Sequence, residues 1–177
     1  SRAFRLSIRR LAWNTAPASL SSAYVDVVRS LIADAKIAPS SLCLELTEHL
    51  PPPGRQTVES LLELHDLGVI LALDDIGSSY APLRQLRDVP FDLVKLERSL
   101  IADLRTREGR AVVGHTVRLA HDLGAEVVAE GIETHAELDI CLDLGCDYLQ
   151  GFLLGGQGVD TSAFADLVNR GRLVARR

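Results

Sequence analysis

The 177 residues are 47% hydrophobic and 24% charged, a balance that supports a sizeable buried core and excludes disordered and collagen-like chains. A formal net charge of -5 gives no general attraction to a polynucleotide backbone or an anionic membrane, so a phosphate-bearing ligand needs local groups or metal ions to hold it. No apolar run approaches the roughly 18 residues that span a bilayer, and no charged-then-apolar leader opens the chain, so a cytoplasmic location is expected, with any membrane anchor carried elsewhere in a parent protein.

Short apolar runs rich in β-branched residues alternate with longer amphipathic ones, the pattern of repeated β/α units around a parallel sheet. The first run ends near Leu11-Ala12-Trp13. Tyr24 to Ile37 then sets Val27, Val28, Leu31, Ile32 and Ala35 at helical spacing, and Pro39 closes that helix. Leu42 to Leu46 reads as a strand, and Pro51-Pro52-Pro53-Gly54 cannot be helical. A helix from about Thr57 to Asp66 ends at Gly68, a left-handed cap before a strand from Val69 to Leu73. The alternation continues through helix 81–87, strand 92–96, helix 109–123, strand 126–129, helix 134–144, strand 147–149 and helix 161–170.

These elements predict one domain over residues 1–177, without internal repeat or linker. A complete (β/α)8 barrel takes about 250 residues, so the expected fold is α/β, a TIM-like (β/α) barrel with about six units present and two strands' worth lacking before Ser1. The alternative, an open doubly wound sheet, lacks its Gly-rich turn after the first strand. Cys43, Cys141 and Cys146 show no Cys-x-x-Cys spacing and read as reduced, buried thiols. His49, His65, His115, His121 and His135 share no strand-tip placement and read as surface residues.

Polar residues recur at the strand ends. Asn14, Glu45, Asp74 with Asp75, Lys95, Glu130 and Gln150 follow one another at separations of 31, 29, 21, 35 and 20 residues, about one β/α unit each. In parallel barrels the carboxyl ends of the strands build the active site. An Asn, several acids, a Lys and a Gln on one face make a hard-oxygen set suited to Mg²⁺ or Mn²⁺. Each residue taken singly has a plainer reading: Asp75 as a helix N-cap, Gln150 as a turn residue, Glu48 and Glu133 as caps or loop holders. Two adjacent acids after an apolar run repel one another unless a cation or cap intervenes. An ammonium inside an apolar strand, as at Lys95, is costly unless it meets an anion.

The ordered words on these strands resemble the EAL domain family, whose members hydrolyse cyclic di-GMP in bacterial signalling. Glu45-Leu46-Thr47-Glu48 resembles Glu-x-Thr-Glu, and Asp74-Asp75-Ile76-Gly77 resembles Asp-Asp-Phe-Gly. Lys95-Leu96-Glu97-Arg98-Ser99 is similar to Lys-Ile-Asp-Arg-Ser, Ala129-Glu130-Gly131-Ile132-Glu133 to Ala-Glu-Gly-Val-Glu, and Gln150-Gly151-Phe152 to Gln-Gly-Tyr, the likeness running from about Leu11 to Gly155. By that resemblance Asn14, Glu45, Asp74 and Asp75 are metal ligands, Lys95 orients the attacking water, Glu130 assists at the metal centre and Gln150 contacts the substrate. Glu48 steadies the loop after Asp75, while Glu133 and Glu97 support the site from behind.

The resemblance implies a phosphodiesterase that uses two Mg²⁺ or Mn²⁺ ions to activate a water for in-line attack on phosphorus, opening cyclic di-GMP to pGpG. It also implies a homodimer, a fused sensory or diguanylate cyclase domain in the parent protein, and no nucleic acid polymer as partner. Departures from the pattern mark the alternatives. The Glu-Ala-Leu tripeptide, whose glutamate is a metal ligand in the family and lies upstream, is absent, so hydrolysis is expected only where a parent chain supplies it. Ile76-Gly77-Ser78 replaces Phe-Gly-Gly in the loop, Glu97 replaces Asp, Asn14-Thr15-Ala16 replaces Asn-x-Ser, and the tail Leu154-Gly155-Gly156-Gln157 lacks the family's proline. A non-catalytic cyclic di-GMP receptor and an incomplete, inactive domain are the rival readings.

Overall fold

The structure, a computed structural model, describes residues 11–47, 54–77 and 86–154. Six strands are present: β1 (Leu11–Asn14), β2 (Leu42–Thr47), β3 (Ile70–Ile76), β4 (Leu93–Leu96), β5 (Glu126–Glu130) and β6 (Tyr148–Gln150). They are hydrogen-bonded in the order β1-β2-β3-β4-β5-β6, as sequential β/α units require. Five helices are described: α1 (Ser22–Ala35), α2 (Arg55–Asp66), α3 (Arg98–Ala102), α4 (Arg107–Asp122) and α5 (His135–Asp143). Residues 86–88 are helical, and the rest of the expected helix 81–87, with helix 161–170, lies outside the described residues. The short α3, directly after β4, has no counterpart among the sequence-based expectations, because five residues are too few to display a helical period.

Two compact units divide the chain, the first taking in the described residues up to Val94 with Leu123–Ala125, the second those of Lys95–Asp122 and from Glu126 onward. In the first, β1 pairs in parallel with β2 and β2 with β3, with Leu11↔Leu42 and Cys43↔Ile70 in register. Its core holds Leu42, Leu44, Leu61, Leu64, Leu71 and Leu73, all 1% exposed or less, each worth about 1.5–3 kcal/mol of burial. Helix α1 starts where Ser21 caps it, its hydroxyl accepting the Tyr24 N–H at 3.3 Å. The expected apolar face of α1 is corrected in part. Val28 is buried as expected and Val25 joins it, whereas Val27 and Leu31 are 68% and 48% exposed.

In the second unit β5 pairs in parallel with β6, and Ile101, Leu104, Val113 and Val127 are fully buried. Helix α5 begins with a capping box: Glu137 N–H donates to the Thr134 hydroxyl at 3.2 Å, and the Glu137 carboxylate accepts the Thr134 N–H at 2.9 Å. Burial pushes the Glu137 carboxyl up. The N–H groups of Glu133 and Thr134, the Thr134 hydroxyl and the Arg105 charge together outweigh that and hold it below the usual carboxylate range.

One word, Asp-Leu-Gly, recurs at three helix ends, closing at Gly68, Gly124 and Gly145 with φ of 89°, 86° and 91°, a conformation that favours glycine. After α2 the Gly68 N–H returns to His65 O at 2.8 Å and the Val69 N–H to Leu64 O at 3.1 Å. After α5 the Gly145 N–H returns to Leu142 O and the Cys146 N–H to Cys141 O. Both are the paired 5→2 and 6→1 returns of a Schellman end, and the left-handed cap expected at Gly68 is what is found.

A second device occurs once in each unit. Asp92, just before β4, donates its N–H to Leu71 O at 2.9 Å and accepts the Leu71 N–H on its carboxylate at 2.8 Å. Asp147, just before β6, does the same with Val127, at 3.0 and 2.8 Å. A histidine stands by each carboxylate, His65 at 3.7 Å from Asp92 and His121 at 2.8 Å from Asp147. His65 is thus half-buried rather than a plain surface residue. His115, His121 and His135 are exposed, and His49 lies outside the described residues. All three cysteines are buried, reduced thiols.

Candidate functional site

The first unit carries the oxygen donors expected of a metal site. Asn14 ends β1 and is the register partner of Glu45 on β2. Paired residues of parallel strands project to one face, about 4.8 Å apart across the sheet. Glu45 is in register with Ala72, and Asp74 lies two residues beyond Ala72. The strand's period of two therefore returns Asp74 to the face of Glu45, about 7 Å further along.

Asp74 is 8% exposed, and its carboxylate accepts the N–H of Asp75 at 2.9 Å. Asp75 has φ of 60°, a left-handed conformation uncommon outside glycine, asparagine and aspartate. That turn ends the strand's alternation, so the two neighbouring acids do not follow the simple opposite-face rule. Repulsion between them is relieved by a backbone donor on Asp74 and a change of direction at Asp75. Glu48 lies outside the described residues.

The second unit holds the remaining candidates. Lys95 on β4 meets Glu130 at the end of β5 at 2.9 Å, with side chains 12% and 23% exposed. The anion that a lysine in an apolar strand demands is thus Glu130. Glu130 is in register with Gln150 on β6, and Gln150 is exposed. Gly131, at φ 75°, lies under the Arg98 side chain, and a Cβ there would meet Arg98 Cγ at 2.5 Å. Arg98 in turn pairs with Glu133 at 2.8 Å. Glu133 therefore holds Arg98, while the capping of α5 falls to Thr134 and Glu137. Glu97 precedes α3 and accepts the Ser99 hydroxyl at 3.0 Å.

Two contributors escaped sequence reasoning. Arg98 shows itself only through its partner across the loop. Glu137 had a readable signal, the Thr-x-x-Glu spacing at a helix start.

The donors of the first unit fit a hard divalent cation by their chemistry, an amide oxygen and carboxylates. Among the described residues no three His, Cys, Asp or Glu side chains come together as one ion would require.

Comparison with known proteins bears on these residues. The EAL domain family model matches residues 1–157. The cyclic di-GMP phosphodiesterase RocR of Pseudomonas aeruginosa is 34% identical over 146 residues, 81% of this chain and 37% of RocR. MucR of the same organism, a bifunctional diguanylate cyclase/cyclic di-GMP phosphodiesterase, is 37% identical over 133 residues, 74% of this chain and 19% of MucR. A manganese/cyclic di-GMP complex of Klebsiella pneumoniae BlrP1 superposes with a TM-score of 0.72 at 32% identity, covering 81% of this chain and 38% of that one. The chain thus spans well under half the length of these relatives. The fold is the parallel β/α barrel type of these neighbours, as the strand order predicts. Among the described residues no helix is long and apolar enough to cross a membrane.

Proposed function

Because the chain belongs to the EAL domain family, we propose that it acts in cyclic di-GMP signalling as the phosphodiesterase module that opens cyclic di-GMP to pGpG. The observation that carries this reading is the register of β1, β2 and β3, with Asn14 beside Glu45 and Asp74 on the same face. When bound, two divalent ions, Mg²⁺ or Mn²⁺, supply an acidified water and offset phosphate charge. Asn14, Glu45, Asp74 and Asp75 would hold them. Lys95, paired with Glu130 at 2.9 Å, orients the water. Gln150 contacts the nucleotide, Glu48 steadies the loop after Asp75, and Glu133 and Glu97 hold the Arg98 segment.

The tripeptide Glu-Ala-Leu does not occur in the 177 residues. Hydrolysis is therefore proposed for a polypeptide in which that glutamate is supplied, and binding alone for one in which it is not. A homodimer and a fused sensory or cyclase domain, the latter as in MucR, belong to the same proposal. The test is pGpG release with Mg²⁺ or Mn²⁺ from the intact protein and from its Asp74→Ala variant. At least a hundredfold loss is expected in the variant, on the order of what a lost metal-site group costs, and equal rates would remove the proposed site.

The receptor reading draws support from the departures in sequence, the lack of a Glu-Ala-Leu glutamate and Ile76-Gly77-Ser78 in place of Phe-Gly-Gly. Calorimetry separates the two readings, because a receptor takes up cyclic di-GMP without metal and without turnover.

A further inference from the structure

β1 has four residues and is in register with β2. Short elements open readily, yet this strand carries Asn14.

A single hydroxyl compensates. The Trp13 indole N–H donates to the Tyr24 hydroxyl at 2.8 Å, and the Thr15 and Tyr24 hydroxyls are hydrogen-bonded at 2.9 Å. Tyr24 stands in the first turn of α1, where the Ser21 cap sets the backbone. Thr15 is 9% exposed and donates its own N–H to Glu45 O at 2.9 Å. The two residues flanking Asn14 are therefore gripped by one atom of the helix behind them. Since Trp13 and Thr15 reach the same hydroxyl, they lie on one side of the strand, and alternation sends Asn14 to the other, the side of Glu45.

We infer that Tyr24 is a positioning residue that fixes the end of β1 through Trp13 and Thr15 and so holds Asn14 beside Glu45. Its link to metal binding rests on the reading of Asn14 as a ligand given above. Two variants remove the grip with little change of shape: Tyr24→Phe deletes the shared hydroxyl, and Thr15→Val deletes one partner. Both retain the packed surface of the parent.

The test uses the intact protein and two readouts. Amide hydrogen exchange at Thr15, whose N–H is bonded to Glu45 O, measured without metal, should quicken in both variants, while the interior of α1 keeps its protection. Mn²⁺ affinity, measured by calorimetry, should fall about tenfold, the scale on which a residue behind a ligand acts. Unchanged exchange at Thr15 overturns the inference whatever the metal does. Quickened exchange with unaltered Mn²⁺ affinity overturns it too, because Tyr24 would then hold the strand without placing the ligand. If the parent and Asp74→Ala take up Mn²⁺ alike, the metal-site reading fails, and the exchange rates alone decide whether Tyr24 holds Asn14.

Discussion

Lys95 and Glu130, on different strands, meet at 2.9 Å with only 12% and 23% of their side chains exposed. Taking both charges out of bulk water is unfavourable, and each tolerates the position because the other is there. Lys95→Ala or Glu130→Ala alone is expected to cost about 2–4 kcal/mol, and the double variant clearly less than the sum. Chemical denaturation of all four proteins gives the coupling. Strict additivity would show that the two groups do not depend on one another.

Asp147 satisfies the N–H of Val127, a fully buried residue, and stands beside His121. Asp147→Ala strands that donor and is expected to lower stability by about 1–3 kcal/mol. Asp147→Asn keeps an acceptor oxygen and should lose less. Urea melts of the two variants decide the matter, since equal losses would assign the effect to charge rather than to the backbone bond.

The lowered pKa of Glu137 fixes a pH dependence. A carboxyl held below its unfolded value contributes stability above about pH 4.3, and that contribution is lost as pH falls through the folded value. Between pH 5 and 3 the unfolded chain binds more protons, so stability declines with falling pH. Glu137→Gln should be less stable at pH 7 by about 1 kcal/mol and should show a shallower decline in acid. Parallel stability curves for parent and variant across that range would rule this out.

At Asp75 the backbone itself is the prediction. Its φ of 60° is reached by glycine without penalty and by alanine at about 1–2 kcal/mol. Thermal melts should therefore rank Asp75→Gly above Asp75→Ala, while both lose the carboxylate to the same extent. A reversed order would mean that the strand end relaxes out of this conformation when the aspartate is removed.

The alternation of apolar runs determines the order of the strands by itself, because each β/α unit announces its own period and its own stop. Gly68 after Asp66-Leu67 is a local signal and lands where it points. The polar residues at strand ends are local too, which is why Asn14, Glu45, Asp74, Lys95, Glu130 and Gln150 stand out in the bare amino-acid order. Register is another matter. That Asn14 faces Glu45, and that Asp74 returns to the same side two residues on, depends on pairing between segments about thirty residues apart, which no local pattern encodes. Val28 is buried as its spacing predicts, but the burial of Val25 in place of Val27 and Leu31 was decided by packing, since the helix period tolerates either face. Lys95 with Glu130, Arg98 with Glu133, and the Tyr24 hydroxyl between Trp13 and Thr15 are all meetings of distant residues, and only the folded chain brings such partners within hydrogen-bonding distance.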